Sequence, residues 1–218
     1  MIVTDELAES VLLAFPTVRD QGPRGTCAAF ATTAVHEHRC ASPRALSEEH
    51  AFWLGRQVAG PASSGVAVAD VLRGLHRDGQ LFGDDWPYGQ PPPSDFTAGD
   101  LCDMCPLPEW EQLADCRFST VRRVLDAGSP VVLSVAFASE VWFGAAATGW
   151  LDHDSAASVT GGHAVLGIAA SDDGSTPAVL VRNSWGPAWG LAGYAWAPAA
   201  LLDAHGLVAH SVGMRRAA

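Results

Sequence analysis

Apolar positions follow a helical period in the first half of the chain and a strand period in the second. Residues 27–35 (CAAFATTAV) form an apolar run of small side chains, and no Pro or Gly interrupts it before position 43. Thr26 stands at the N-cap position, so the pattern predicts a helix beginning at or near Cys27. A second helix opens at Ser47, with Glu49 and His50 in its first turn. A third covers about 66–77, with Val68, Val71, Leu72 and Leu75 on one face and Gly79 as its stop. Residues 83–118 read as irregular, with Pro91, Pro92 and Pro93 in succession. From Ser119 the character changes: a short helix over 119–127 precedes β-rich runs at 130–137, 164–170, 178–182 and 193–197. Helices first and strands second predict an α+β domain with two segregated lobes, not alternating βαβ units. The expected division of the single domain 1–218 is a mainly helical lobe over 16–118 and a mainly β lobe over 119–218, with the terminal segments crossing over.

Composition sharpens this picture. Hydrophobic residues make up 48% of the 218 positions, enough for a sizeable core. The net charge is −11, which argues against a nucleic-acid partner, since a phosphate surface calls for a basic patch. All 13 basic side chains are arginine, as GC-rich coding favours. Residues 1–15 place acids before a short apolar run, where a secretory signal would be basic, and the run is too short to span a membrane. The expectation is therefore a cytoplasmic protein with no membrane partner.

Three elements carry candidate chemistry. Cys27 follows a turn-rich segment and opens a helix, whose N-terminus favours a thiolate. G-G-H-A-V at 161–165 places His163 at the head of an apolar strand, on the rim of a sheet. V-R-N-S-W-G at 181–186 places Asn183 at a strand end, where it can orient one imidazole nitrogen and leave the other for a thiol. Each element alone has an ordinary reading: a buried small residue, a loop histidine, a turn with a packed tryptophan. Together they run in the order Cys, His, Asn, with His163 lying 136 positions after Cys27. That is the type of spacing known for papain and the cathepsins. Five cysteines leave at least one unpaired. Cys102-x-x-Cys105 with Cys116 admits three readings: zinc with Cys40 or a histidine as fourth ligand, disulfides, or buried thiols. No metal or cofactor is assigned. His36 and His38 are expected to be solvated at a helix end, and Asp84 and Asp85 to form a surface turn.

The sequence resembles the papain-like cysteine peptidase family over most of its length. Q-G-P-R-G-T-C-A-A-F at 21–30 is similar to the family's Q-G-x-C-G-S-C-W-A-F, and L-S-E-E-H at 46–50 to its L-S-E-Q. D-D-W-P-Y at 84–88 resembles the lead into its W/Y-P-Y motif, and P-V-V-L-S-V at 130–135 its first β-lobe strand. G-G-H-A-V and V-R-N-S-W-G-P-A-W-G-L-A-G-Y resemble its histidine and asparagine motifs. The resemblance implies the two-lobe papain-like fold, with a β-barrel-like second lobe and the active site in the cleft. It implies a thiol peptidase with Cys27 as nucleophile, His163 as its base, Asn183 as orienting residue and Gln21 as oxyanion donor. Trp185 would cover the His163–Asn183 bond and border the substrate. Further substrate contacts would come from Val135, Gly162 and Ala164, with Ser64 and Gly65 opposite, in a pocket for an apolar side chain two residues before the scissile bond. The partner would be a peptide or protein substrate, with an unidentified regulator or inhibitor in place of a propeptide, since the chain starts near the family's mature N-terminus. Three departures stand out: Arg24 replaces a disulfide-forming cysteine, Ala28 replaces a large aromatic, and Gly162 stands where plant members often carry Asp. Two other readings share the fold: acyl transfer to an amine, as in a peptide ligase or amide-forming enzyme, and a non-catalytic binding module.

Overall fold

The alanine-rich run after Thr26 is a helix, and its small side chains determine where it lies. In the computed structural model, which describes residues 15–60, 65–94, 107–152, 157–172 and 176–213, α1 spans Cys27–Cys40. Ala28, Ala29, Ala31, Ala34 and Val35 are buried, so neighbours pack on several sides of the helix. Two more helices, α2 (Glu48–Ala59) and α3 (Val68–Asp78), pack together and against it. Ser47 caps α2: its Oγ accepts the His50 N–H at 3.0 Å and donates to the Trp86 carbonyl at 2.5 Å. Gly74 allows α3 to approach α2, since a Cβ there would lie 2.8 Å from Leu54 Cβ.

The second half supplies α4 (Phe118–Asp126), β2 (Val131–Phe137), α5 (Ser139–Thr148), β3 (Gly161–Ser171), β4 (Ala178–Arg182), β5 (Tyr194–Pro198), α6 (Ala199–His205) and β6 (Gly206–Val212). A short β1 (Trp110–Gln112) precedes them. It lies before the expected boundary at 119 yet pairs with β6. Among the described residues six strands form one antiparallel sheet in the order β1-β6-β2-β3-β4-β5. The barrel-like expectation is corrected here, because the sheet is open. Its edge strands, β1 and β5, do not pair with each other, and its central strands are covered on both faces. Val132, Ala164, Leu166 and Val212 meet the α1–α3 core, while Val131, Leu133, Val135, Val165 and Val181 meet a second core with Val121, Trp142 and Leu202. Period-two alternation thus sends successive residues of β2 and β3 into different cores.

Other expectations also change. His36 is fully buried, with Nδ1 2.8 Å from Gln80 Oε1, because α1 is covered along most of its length. His38 is partly exposed and stacks on Phe15 at 4.6 Å between ring centroids. Asp84 and Asp85 do lie at the surface, facing Arg44 at 3.2 and 3.8 Å. Cys102 and Cys105 lie outside the described residues. Cys116 is buried against Gly206, and the Cys40 thiol donates to the His36 carbonyl at 2.9 Å. Among the described residues no group of His, Cys, Asp and Glu could hold a metal ion, and no helix is long and apolar enough to cross a membrane. Arg24 replaces the family's cysteine with an ion pair. Its guanidinium grips both oxygens of Glu49 at 2.5 and 2.9 Å and lies 4.8 Å from the Tyr88 ring centroid. Glu49 also accepts the Gly89 N–H at 2.7 Å, so the loop before Cys27, α2 and the 88–89 turn are tied together.

Gly74→Ala tests the helix contact. Alanine favours an isolated helix by about 1 kcal/mol, but the clash with Leu54 dominates, so the variant should lose about 1–3 kcal/mol of stability in a urea titration. An unchanged or raised midpoint would show that α2 and α3 are not held at this separation.

Candidate active site

Cys27 opens α1, and no side chain caps that helix. Thr26 is not the cap expected from its position: its Oγ1 lies 2.7 Å from the Tyr88 hydroxyl, which itself donates to the Gln21 carbonyl at 2.7 Å. The first N–H groups of α1 therefore remain available to an anion near Cys27. The Ala164 backbone N–H lies close enough to the Cys27 thiol to favour its thiolate, which puts the sulfur beside the strand residue next to His163. Helix start and strand head thus meet.

His163 is buried at the start of β3, opposite Val135 of β2. Asn183 follows the last residue of β4, the antiparallel neighbour, so both sit at the same end of the sheet. The His163 Nε2–H donates to Asn183 Oδ1 at 2.8 Å, and the Ser184 N–H donates to the same oxygen at 2.8 Å. Two donors on Oδ1 fix the amide orientation and the imidazole tautomer, leaving Nδ1 as the ring's acceptor. The Asn183 backbone is held as well, with its N–H donating to the Gly193 carbonyl at 3.0 Å. Gly193 has φ +95°, and a Cβ there would lie 2.5 Å from Val18 Cβ, so only glycine fits.

Aromatic rings surround the imidazole. Trp185 lies 5.1 Å from it in a tilted stack, and Trp142 meets it edge-on at 4.8 Å, both between centroids. Phe143 is 63% exposed yet stacks on Trp185 at 5.5 Å, which extends the aromatic surface outward. Gln21 is buried and held at several points. Its Nε2 donates to the Arg24 carbonyl at 2.6 Å, its Oε1 accepts from Ser184 Oγ at 2.5 Å, and its backbone N–H donates to the Ser184 carbonyl at 2.8 Å. One Nε2–H remains. Nearby, Arg19 bonds Glu37 at 2.9 Å and pairs with Glu48, whose carboxyl burial pushes up to about 7 despite that partner.

A cavity of about 380 Å³ runs past Cys27 and His163. Gly162 and Ala164 line it, as do Val66 and Val68. Val135 does not: it is 1% exposed and points into the other core. Ser134, the cross-strand partner of Ala164, takes that place, since neighbours along a strand face opposite ways. Gly65 adjoins the cavity only through Val66, and Ser64 lies outside the described residues. Trp142, Ser184, Gln112 and His210 were not singled out from the sequence. Trp142 and His210 lie on α5 and β6, elements that the apolar pattern did not reveal.

Residues 109–202 match the model of the papain family cysteine protease. The structure resembles xylellain, a cysteine protease from Xylella fastidiosa, with TM-score 0.79 and 24% identity over 95% of this chain and 90% of that one. The chain has the papain-like cysteine protease fold. The same fold recurs in the bromelain protease of Ananas comosus solved with the E64 inhibitor, with TM-score 0.72 and 19% identity over 94% of this chain and 96% of that one. It recurs in procathepsin L 3 of the Tenebrio molitor larval midgut, with TM-score 0.73 and 19% identity over 92% of this chain and 67% of that one. No curated protein matches the chain. The papain-like match covers the β half with His163 and Asn183, while Cys27 lies outside the matched span.

The electrostatics differ from the simple expectation of a lowered thiol. Burial pushes Cys27 up, and the N–H groups of Ala164, Ala28 and Cys27 itself only partly offset it. Burial likewise pushes His163 down to about 4, against the Asn183 bond that favours its charged form. Each charge alone is disfavoured, so a charged pair requires an attraction between the two groups that offsets both burial costs. Cys27→Ala removes the partner, so His163 should then titrate near 4 by imidazole NMR. In the native chain the thiolate should hold it higher. Equal values in the two proteins would show that the groups are not coupled.

Proposed function

We propose that the domain hydrolyses peptide amide bonds through an acyl-enzyme on Cys27. The observation that carries this reading is the 2.8 Å bond from His163 Nε2–H to Asn183 Oδ1, which leaves Nδ1 as the ring nitrogen able to accept the thiol proton. Nδ1 holds the proton of Cys27, the thiolate attacks the scissile carbonyl, and the carbonyl π electrons move onto oxygen. The remaining Gln21 Nε2–H and the Cys27 backbone N–H stabilise that oxyanion. Collapse expels the amine, which leaves with the proton from His163, and the acyl group stays on sulfur. Water then attacks the thioester, giving its proton to His163, and the thiol is regenerated with the free acid. Trp142 and Trp185 keep water off the His163–Asn183 bond, so that bond stays strong in a dry surrounding.

The experiment is peptide-library cleavage with products weighed by mass spectrometry, with an added amine in a parallel sample. Hydrolysed fragments from the native chain and none from Cys27→Ala support the peptidase. Fragments joined to the amine in preference to water would replace it with acyl transfer. No turnover by a folded native chain would leave a binding module.

Gln21→Ala separates the oxyanion role from substrate affinity. The oxyanion exists only along the reaction path, so kcat should fall about 10²–10³-fold with KM little changed. Full kcat in the variant would remove Gln21 from the mechanism.

A further inference from the structure

His210 is an unexplained group in the wall of the cavity beside Cys27 and His163. It lies on β6, pairs with Val132 and Gln112 across the sheet, and is 2% exposed. Neither ring nitrogen has a hydrogen-bond partner. Its contact is the edge of Trp110, at 5.6 Å between centroids. A buried polar group without a partner is unfavourable by about 1–3 kcal/mol, so such an imidazole points to a ligand that completes it. Both nitrogens are closed to water in the empty cavity. A half-turn of the ring about Cβ–Cγ exchanges each nitrogen with a ring carbon and offers a different edge to the cavity.

We propose that His210 makes this cavity selective for a tyrosine side chain of the substrate, whose phenol hydroxyl bonds to the imidazole; the inference rests on the peptidase reading above. The walls decide the body of the occupant. Val66, Val68, Ala164, Leu207 and Val208 are apolar, and a ring buries roughly 150–250 Å² against such surfaces. Short polar side chains would leave those walls unfilled. His210 decides the tip. Burial, with Arg73 nearby, holds its imidazole below the usual range, so at neutral pH it carries one donor and one acceptor. A phenol hydroxyl offers the same pair. An ammonium would face Arg73; a carboxylate is favoured by Arg73 but would carry its charge past apolar walls to a neutral imidazole. Phenylalanine fills the walls but leaves His210 unpaired, and it is this pair of residues that the site should separate. The apolar preference expected from the sequence thus becomes a preference for an apolar body with a hydroxyl end.

The test uses matched peptides with Tyr or Phe at each of the three residues before the scissile bond. Two readouts are taken: kcat/KM of the native chain, and equilibrium affinity for Cys27→Ala, which cannot turn over. Tyr should be favoured on the order of tenfold at one position, and Cys27→Ala/His210→Leu should lose or reverse that preference. If the double variant fails to fold, the His210 ring ¹⁵N signals of Cys27→Ala decide: they should shift with the Tyr peptide and not with the Phe peptide. A Tyr preference in binding without native turnover would sustain the His210 assignment and sink the peptidase. Turnover and binding that treat Tyr and Phe alike would sink the assignment and leave the peptidase standing. Failure of Cys27→Ala to bind the Tyr peptide would also overturn the assignment.

Discussion

The site depends on the close approach of α1 to β3. Ala28, Ala31 and Ala34 face a core that also contains Ala164 and Leu166, and none carries a side chain long enough to hold helix and strand apart. That contact brings the Cys27 sulfur to the backbone of Ala164 and so beside His163. A larger residue at 28, as the resembled family often has, would add packing at the mouth of the site. Here the thiol's surroundings come from the sheet and from the small residues behind it.

Placement in a dry cleft sets the electrostatic problem. Cys27 and His163 are each pushed towards neutrality by burial, so a charged pair depends on their mutual attraction outweighing both burial costs. Supporting groups are arranged accordingly. Asn183 holds the imidazole from behind, Ser184 holds both Asn183 and Gln21, and Gly193 fixes the Asn183 backbone. Arg182 ties β4 to the segment ahead of Gln21 through the carbonyls of Pro16 and Thr17, at 2.7 and 3.2 Å. The Arg24–Glu49 pair adds a further clasp where the resemblance implies a disulfide. It joins the same loop to α2 without depending on the redox state of the surroundings.

Much of this was legible in the residue pattern because local and tertiary requirements agree. The helix from Cys27, the Ser47 cap, the α3 face and the strands around His163 and Asn183 all follow from period and punctuation. The pattern failed where tertiary contacts govern. β1 is three residues long and exists through pairing with β6. β6 follows α6 with no intervening loop, so no turn signal marks its start. Trp142 became visible only once α5 was seen to carry it against His163. Val135 and Ser134 exchanged roles because composition does not say which face of a strand meets the cleft. Register does, through the Ser134–Ala164 pair. His36 looked solvated because its polar neighbours in sequence hid a helix that is covered along most of its length.

The coupling of Cys27 to His163 is the central claim, and alkylation measures it most directly. Iodoacetamide labelling against pH, read at each cysteine by mass spectrometry, should show Cys27 reacting far faster than Cys116 at pH 6, because burial pushes the Cys116 thiol up to about 11 with no imidazole to compensate. In His163→Ala, Cys27 should lose this advantage and behave as a buried thiol. If Cys27 in the folded native chain labels no faster than Cys116 at pH 6, or if His163→Ala leaves its rate unchanged, the pair does not form and the account is wrong.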